Sequence, residues 1–329
     1  MPVKRALFDR FPPLRDALPI VELGNFPTPV SEATALARAI GIEHLRIKHD
    51  ENCAPVYGGN KVRKLEFLLG DVRQRGCNSI LTYGGAGSNH ALATSIYARQ
   101  LGLSCTAILT PEPATDSVRR TLLYHLAIGT RLVYARNYEE IKGKAEQALA
   151  AAGDTCYEIP FGGASWVGTC GFVDAGCELA AQIAAGELEK PDVIYIALGT
   201  TGSAAGLALG LEFAGIGTTI EAIQVTPPSM QQASVFARLY AETNRELNRS
   251  DVSVPLFTEP FAATTIRDDQ LGDGYAMPTA GGREAQALMQ EHLQMRSSLT
   301  YSAKAMAGLI ADARDGKLRG KQVLFWNTY

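Results

Sequence analysis

A lysine at the start of a helix-forming segment is the clearest candidate for chemistry in this sequence. It is Lys61, in the run 57–66 (YGGNKVRKLE). Asn60 before it suits a helix N-cap, and the helix start together with Arg63 and Lys64 is expected to lower the lysine pKa from its usual ~10.4. A neutral amine can form a Schiff base, so the pattern predicts a reactive lysine. The alternative is a solvated basic helix face. Apolar residues follow at helical spacing: Val62, Leu65, Leu68, Leu69 and Val72.

A second candidate is the glycine- and hydroxyl-rich loop Gly199–Ser203 (GTTGS). It follows the continuously apolar run Val193–Leu198 and precedes a helix-forming segment. Glycines let the backbone approach a ligand closely, and amides, hydroxyls and the helix dipole favour a phosphate. The Walker lysine and the dinucleotide-binding G-x-G-x-x-G spacing are both missing. The loop therefore predicts a phosphate site of another kind, with a plain strand–helix turn as the alternative.

A third candidate is the run 83–90 (YGGAGSNH), which also lies between a strand pattern and a helix pattern. Its polar residues open a helix, where backbone amides could bind a substrate carboxylate. The alternative is that Ser88 or Asn89 only caps the helix. For His90, a packing role is favoured over a catalytic one.

The composition is that of an ordinary globular protein. The chain has 329 residues, 46% hydrophobic and 20% charged, with a formal net charge of -3, so two lobes are expected. The charge argues against nucleic acid or an anionic membrane as partner, and no run approaches the ~18 apolar residues of a membrane span. The six scattered cysteines predict reduced thiols and no metal site. Without an apolar segment near the N-terminus, we expect no signal peptide and a cytoplasmic protein.

Strand and helix patterns alternate along most of the chain. Strands are predicted at 44–48, 79–83, 104–109, 131–134, 155–159, 193–198, 219–225 and 322–326. Helices are predicted after Lys61, after Asp116 and from the end of the 199–203 loop to about Phe213. Further helices are predicted at 31–40, with Ser31 as cap, 89–100, 138–151, 171–185, 230–247, 282–295 and 303–314. The proline-rich residues 1–30 are expected to be an extended arm and residues 251–274 to be irregular. Such alternation predicts parallel sheets flanked by helices.

The run 58–66 (GGNKVRKLE) resembles the cofactor-lysine motif of the D-cysteine desulfhydrase and 1-aminocyclopropane-1-carboxylate deaminase family. These are tryptophan-synthase-β-like, fold-type-II enzymes that use pyridoxal 5'-phosphate (PLP). The resemblance extends from about Leu23 to the last residue. It implies a two-lobed α/β fold, each lobe a mostly parallel twisted sheet flanked by helices. The larger, discontinuous PLP-binding domain would be 1–62 and 168–329, and the smaller domain 63–167. A homodimer is also implied.

The resemblance assigns roles to the three segments described above. Lys61 would hold the cofactor covalently, with Asn60 beside it. The cofactor phosphate would lie on Gly199, Thr200, Thr201, Gly202 and Ser203. Ser88 would be a catalytic residue, and Asn89 and His90 would face a small amino-acid substrate.

Three more segments resemble family motifs. In the glycine loop 161–165 (FGGAS), Ser165 would contact the substrate, and the following Trp166 departs from the family pattern. Tyr275, after an Asp-Gly pair, would line the pocket. In 299–305 (LTYSAKA), Tyr301 would be a catalytic residue that stacks near the cofactor ring or donates a proton. Ser302 would lie beside the pyridine nitrogen. Leu299 and Ala303 replace the aspartate and glycine that often flank this motif.

The activity implied is elimination of a β substituent, with D-cysteine as the first choice of substrate. Lys61 would remove the Cα proton, and the products would be pyruvate, ammonia and sulfide. Alternatives are ring-opening deamination of 1-aminocyclopropane-1-carboxylate, elimination from another amino acid such as L-cysteate, and a non-catalytic cofactor-binding relative. Ring-opening deaminases of the family place Glu where this chain has Ser302. A neutral hydroxyl there leaves the ring a weaker electron sink, which favours prompt loss of a β substituent.

Overall fold

The structure is a computed structural model that describes residues 4–259 and 263–329. Ten strands are described: β1 (Val30–Glu32), β2 (His44–His49), β3 (Ser79–Gly85), β4 (Ser104–Thr110), β5 (Arg131–Tyr134), β6 (Cys156–Ile159), β7 (Val193–Leu198), β8 (Thr219–Gln224), β9 (Thr264–Arg267) and β10 (Gln322–Asn327). The α-helices within these ranges are α1 (Ala6–Arg10), α2 (Leu14–Ala17), α3 (Thr34–Ile40), α4 (Asn60–Gln74), α5 (Asn89–Gln100), α6 (Asp116–Ala127), α7 (Tyr138–Ala152), α8 (Trp166–Ala184), α9 (Gly202–Phe213), α10 (Gln232–Ser250), α11 (Ala280–Leu293) and α12 (Ser302–Arg314).

The strands form two sheets. The larger has the order β1-β2-β10-β7-β8-β9, and only the β1–β2 pair is antiparallel. The smaller has the order β5-β4-β3-β6 and is entirely parallel. The predicted α/β class with mostly parallel sheets is confirmed. The smaller sheet uses residues 79–159, and the larger sheet uses strands from both ends of the chain. The domain division at 1–62, 63–167 and 168–329 stays a prediction.

Close helix packing brings the two lobes together around α8. This helix packs against α4 and α9. A Cβ placed on Gly171 would lie 2.2 Å from the Arg63 carbonyl oxygen of α4, and one on Gly176 would lie 2.8 Å from the Gly210 Cα of α9. Only glycine permits such contacts, so these positions fix how near α4 and α9 lie to the helix between them. All six residues of β7 are buried, as expected for a parallel strand covered on both faces.

The predicted extended arm is wrong for the described part of residues 1–30. Two short helices, α1 and α2, form there, and Leu7, Phe8 and Leu14 are fully buried. The Leu7 amide donates to Asp174 Oδ1 of α8 at 2.9 Å. Proline at the start of α2 is tolerated because an amide there would have no helical partner. The conformation of this segment is set by its tertiary contacts, which cannot be predicted from the local sequence.

Three boundary predictions also need correction. Ser31 lies in β1 rather than capping a helix, and its hydroxyl is 2.7 Å from His49 Nε2. Helix α8 begins at Trp166, five residues before the predicted start, because Ser165 caps it there. The predicted irregular stretch 251–274 contains β9, which pairs with β8 at the edge of the larger sheet.

In the described ranges, no helix is both long and apolar enough to span a bilayer. The same residues contain no cluster of three or more His, Cys, Asp or Glu side chains that could hold a metal ion. All six cysteines are free thiols.

Candidate active site

A cavity of about 830 Å³ lies between the two sheets, where β3 and β7 end. Parallel α/β sheets place ligand sites at the carboxyl ends of their strands, and this cavity follows that rule. It brings together eleven of the fourteen residues predicted for the site: Asn60, Lys61, Ser88, Asn89, His90, Gly199, Thr200, Thr201, Ser203, Tyr275 and Tyr301. Gly202, Ser165 and Ser302 are not among its lining residues.

Lys61 is presented to the cavity by a turn that requires glycine. Gly59 has φ of 105°, and a Cβ there would lie 2.9 Å from the Thr328 carbonyl oxygen. The predicted N-cap, Asn60, is instead the first residue of α4, and Gly59 takes the cap position. The Asn60 side-chain amide donates to Ser203 Oγ at 3.2 Å. Asn60 therefore joins the lysine helix to the Gly199–Ser203 loop.

The pKa of Lys61 is lowered to about 8, and burial is the cause. The direction agrees with the expectation from sequence, but neighbouring cations are not the reason. The alternative of a solvated basic face is wrong, since Arg63 and Lys64 are each 1% exposed. Near pH 8, Lys61 has a substantial fraction of neutral amine, the form that attacks a carbonyl.

Arg63 anchors the lysine helix through a buried ion network. Its Nη2 lies 2.8 Å from Asp50 Oδ1 and 2.9 Å from Glu178 Oε1. The Trp326 indole donates to the second Asp50 oxygen at 2.9 Å. These contacts satisfy the charges where water is absent, and they join α4, α8 and β10 behind the cavity.

Asp50→Ala is expected to lower the free energy of unfolding by about 3–5 kcal/mol, because it leaves a buried guanidinium with less compensation. The measurement is urea unfolding followed by circular dichroism. The matched control is Glu32→Ala, which breaks the exposed Arg46–Glu32 pair (2.7 Å) and should cost no more than about 1 kcal/mol. Equal costs for the two variants would mean that the buried network does not anchor α4.

The loop Gly199–Ser203 has the backbone of an anion site. Thr201 has φ of 63°, a conformation that costs a β-branched residue about 1–3 kcal/mol. It holds the N-cap position of α9 but makes no side-chain cap, and its hydroxyl donates to the Thr200 carbonyl at 2.7 Å. Thr201 therefore leaves the first amides of this 12-residue helix without a side-chain cap. The strained turn and the uncapped dipole fit a phosphate group.

Lys64 places a second amine beside this loop. It is buried, its Nζ donates to the Gly162 carbonyl at 3.1 Å, and a Cβ on Gly202 would lie 2.8 Å from Nζ. Burial, and secondarily the charge of Lys61, lower its pKa well below the ordinary lysine value. A bound phosphate would supply the missing countercharge. Lys64 could have been identified from the sequence by its i+3 spacing from Lys61, which places both side chains on one face of the helix.

The run Ser88–His90 opens α5 at the opposite wall. Ser88 caps the helix by accepting from the Ala91 amide at 3.2 Å, and it also lines the cavity. Asn89 Oδ1 accepts from the Tyr57 hydroxyl at 3.2 Å. His90 is 3% exposed, and burial keeps its pKa well below the ordinary histidine value, so the ring is neutral. Ser88 therefore caps the helix and also lies where a substrate could reach it.

Two tyrosines close the cavity. The hydroxyls of Tyr275 and Tyr301 are 2.6 Å apart, and a Cβ on Gly199 would lie 3.4 Å from Tyr301 Cε1. Burial raises the pKa of Tyr301 to about 12, while its hydrogen bond to Tyr275 lowers it. The pKa of Tyr275 lies well above the ordinary tyrosine value. Both hydroxyls are therefore protonated at neutral pH.

Ser165 and Ser302 are engaged by main-chain groups. Ser165 caps α8 by accepting from the Gly168 amide at 3.3 Å. The Ser302 hydroxyl accepts from the Ser298 amide and donates to the Tyr329 carbonyl, both at 2.9 Å. Neither side chain lines the cavity, so their contacts to substrate and cofactor stay predictions.

Other lining residues were not identified from the sequence. Tyr329 lines the cavity and stacks on Tyr57, with ring centroids 5.4 Å apart. Thr328 lines it too, and its carbonyl accepts from the Asn60 amide at 2.9 Å. Arg136 lies at the cavity wall with an exposed side chain. The sequence did contain one indication of Thr328 and Tyr329: they follow the last predicted strand. The carboxyl ends of strands in a parallel sheet face ligand sites.

Comparisons with known proteins agree with this geometry. The family model described as "Pyridoxal-phosphate dependent enzyme" matches residues 21–328. A Pyrococcus abyssi protein provisionally named 1-aminocyclopropane-1-carboxylate deaminase is 33% identical, over 98% of this chain and 93% of its own length. Nocardicin C-9' epimerase of Nocardia uniformis is 31% identical, over 95% of this chain and 93% of its own length. D-cysteine desulfhydrase of Yersinia pestis is 30% identical, over 94% of this chain and 93% of its own length.

Among solved structures, one described as an ACC deaminase homologue superposes with a TM-score of 0.81 at 27% identity, covering 99% of this chain and 95% of the other. The expected fold-type-II architecture and PLP dependence are confirmed. This chain belongs to the pyridoxal-phosphate-dependent enzymes, in the family of 1-aminocyclopropane-1-carboxylate deaminase and D-cysteine desulfhydrase.

Proposed function

We propose that this enzyme eliminates a β substituent from a small amino acid, with D-cysteine as the first candidate and pyruvate, ammonia and sulfide as products. The observation that carries the proposal is the lining of the cavity. None of the described residues that line it has a carboxylate side chain. A carboxylate beside the pyridine nitrogen would keep the ring cationic and favour ring-opening chemistry. A cavity wall without a carboxylate, together with the neutral hydroxyl of Ser302 at the position predicted beside that nitrogen, favours elimination.

The residues present fit PLP. Lys61 would bind it covalently, and the Gly199–Ser203 loop with Lys64 would hold its phosphate. Asn60 would fix the position of the lysine helix relative to the loop through its hydrogen bond to Ser203. When bound, PLP stabilises the negative charge that develops at the substrate Cα.

The protein's own residues would bind the substrate and move protons. The first amides of α5, with Asn89, would hold the substrate carboxylate at the positive end of the helix dipole. The Lys61 amine, neutral in a substantial fraction because its pKa is about 8, would take the Cα proton. Tyr301, protonated at neutral pH, would donate to the departing group. Tyr275 would hold the Tyr301 hydroxyl in place through their 2.6 Å hydrogen bond.

Ser88→Ala is expected to reduce turnover by about 10²-fold while the visible absorbance of the bound cofactor stays unchanged, because a positioned polar group beside the reacting atoms is lost. Thr115→Ala is the control variant for the loss of a helix cap alone. Thr115 caps α6 in the same lobe by accepting from the Val118 amide at 3.2 Å and does not line the cavity. Full activity in Ser88→Ala would reduce Ser88 to a helix cap.

The proposed reaction is tested by competition between substrates. D- and L-cysteine, β-chloroalanine, cysteate and 1-aminocyclopropane-1-carboxylate are supplied to the holoenzyme, and pyruvate and 2-oxobutanoate are measured. Pyruvate from a β-substituted substrate is the expected main product. Dominant 2-oxobutanoate would replace the proposal with ring-opening deamination. Chiral inversion without either product would indicate an epimerase.

We also propose a homodimer in the cytoplasm. The free thiols are compatible with a reducing compartment. Neighbouring elements α6 and β5 expose Leu123, Tyr124, Leu126 and Tyr134, each at least half exposed, and a second copy would cover such apolar surface. Light scattering after gel filtration should give twice 35.2 kDa. A particle of single-chain mass would contradict the dimer.

A further inference from the structure

We propose that Glu112 determines specificity in this cavity and makes it selective for amino acids with neutral or cationic side chains over those with a second negative charge. The proposal concerns the substrate of the elimination reaction proposed above and rests on it. Glu112 is not part of any of the motifs described so far. Its carboxylate is an ionisable group near the cavity that has no role in the proposed reaction.

Glu112 follows β4 directly and reaches the turn after β3. The two residues before it, Thr110 and Pro111, line the cavity. A Cβ on Gly85 would lie 1.8 Å from Glu112 Oε1, and one on Gly87 would lie 2.8 Å from Oε2. Glycine at both positions is therefore what allows the carboxylate to lie against this turn. The same turn leads into Ser88, the proposed substrate-binding wall.

One oxygen of this carboxylate is left without a partner. Glu112 Oε1 is buried and accepts no hydrogen bond from the described residues. Burial raises the pKa of the carboxyl group, while the Gly87 amide opposes that shift. A buried acceptor that is not satisfied is costly. Glu112 is not among the residues that line the cavity, so it acts on a substrate through the field of its charge, which disfavours an anionic group.

The charge of Glu112 reaches the tyrosine pair. Burial is the main cause of the raised pKa of Tyr275 and of Tyr301, and the charge of Glu112 raises both pKa values further. Both tyrosines line the cavity. A substrate side chain must lie near these hydroxyls if Tyr301 is to donate to the leaving group. At an effective dielectric constant of about 20, a like charge about 10 Å away changes an equilibrium roughly tenfold. Glu112 should therefore penalise a sulfonate or carboxylate at this position by about that factor.

The cations of the cavity do not offset this charge. Lys61 would take the Cα proton as a neutral amine, which offers no countercharge. Arg136 pairs with Glu140 at 3.2 Å, and its side chain is 77% exposed, so water screens it. An anionic side chain would thus meet the field of Glu112 without a buried countercharge. Cysteate is expected to be a poorer substrate than cysteine for this reason.

The test is Glu112→Gln in the holoenzyme, which removes the charge and keeps the shape. Pyruvate formation is measured with β-chloroalanine and cysteate, both enantiomers of each. The ratio of kcat/KM for the neutral over the anionic substrate should fall about tenfold in the variant. Glu139→Gln makes the same charge change at an exposed position of the same lobe and should leave the ratio unchanged.

A binding measurement separates this proposal from the proposed reaction. Titration calorimetry compares alanine with aspartate as unreactive ligands, and the preference for alanine should shrink about tenfold in Glu112→Gln. If both the kinetic and the binding ratios stay unchanged, Glu112 does not determine specificity. If wild-type enzyme forms no pyruvate from any substrate, the proposed reaction fails, and the alanine-to-aspartate ratio still decides the role of Glu112.

Discussion

Lys61→Ala is expected to reduce pyruvate formation by about 10³-fold or more, because one substitution removes both the cofactor-binding amine and the proposed base. The variant should also lose the visible absorbance that marks a covalent lysine–cofactor bond. The lysine has no evident substitute: the Lys64 amine, on the same helix face, is directed at the Gly162 carbonyl and the start of α9.

The control for this variant is Lys142→Ala, which removes an exposed lysine of α7 and should leave activity unchanged. The pH dependence of cofactor capture by the apoprotein gives a second check. Because burial lowers the pKa of Lys61 to about 8, the rate should rise as pH increases through 8 rather than through the ordinary ~10.4. Activity above a tenth of wild type in Lys61→Ala would contradict its proposed role.

Lys64→Met is expected to weaken PLP binding by about 10²–10³-fold, the effect of leaving a buried phosphate charge without its cationic partner. Methionine fills a similar volume without a charge, so the fold should survive. The measurement is equilibrium binding of PLP to the apoprotein, followed by absorbance.

Pyridoxal, which lacks the phosphate, distinguishes a lost charge interaction from general damage. Wild-type protein should prefer PLP over pyridoxal strongly, and Lys64→Met should lose most of that preference while its affinity for pyridoxal changes little. A preference equal to that of wild type would show that Lys64 does not bind the phosphate, although its Nζ lies beside Gly202.

The parts of the site that could be predicted from the sequence are those formed by contiguous segments. Gly199–Ser203 and Tyr83–His90 each join a strand pattern to a helix pattern. Glycines and hydroxyl side chains at such a junction are typical of an anion-binding site. Parallel strands then bring these junctions to one edge of each sheet. Most of the predicted cavity wall follows from this local information.

The parts that were missed depend on contacts distant in sequence. Glu112 becomes relevant only because β4 lies beside β3 and glycine at positions 85 and 87 leaves room for its carboxylate. Tyr329 and Thr328 enter the cavity because β10 lies between β2 and β7. Asn60 fails as a cap because Gly59, at positive φ, already makes the turn. Burial rather than neighbouring charge lowers the Lys61 pKa, and burial cannot be read from one segment.

Reductive trapping tests the central claim most directly. The holoenzyme is treated with borohydride, digested, and the modified lysine is located by tandem mass spectrometry. We predict a single phosphopyridoxyl group on Lys61, within the peptide that also contains Lys64. Modification of Lys48, Lys64 or Lys304 in place of Lys61 would contradict the proposed active site.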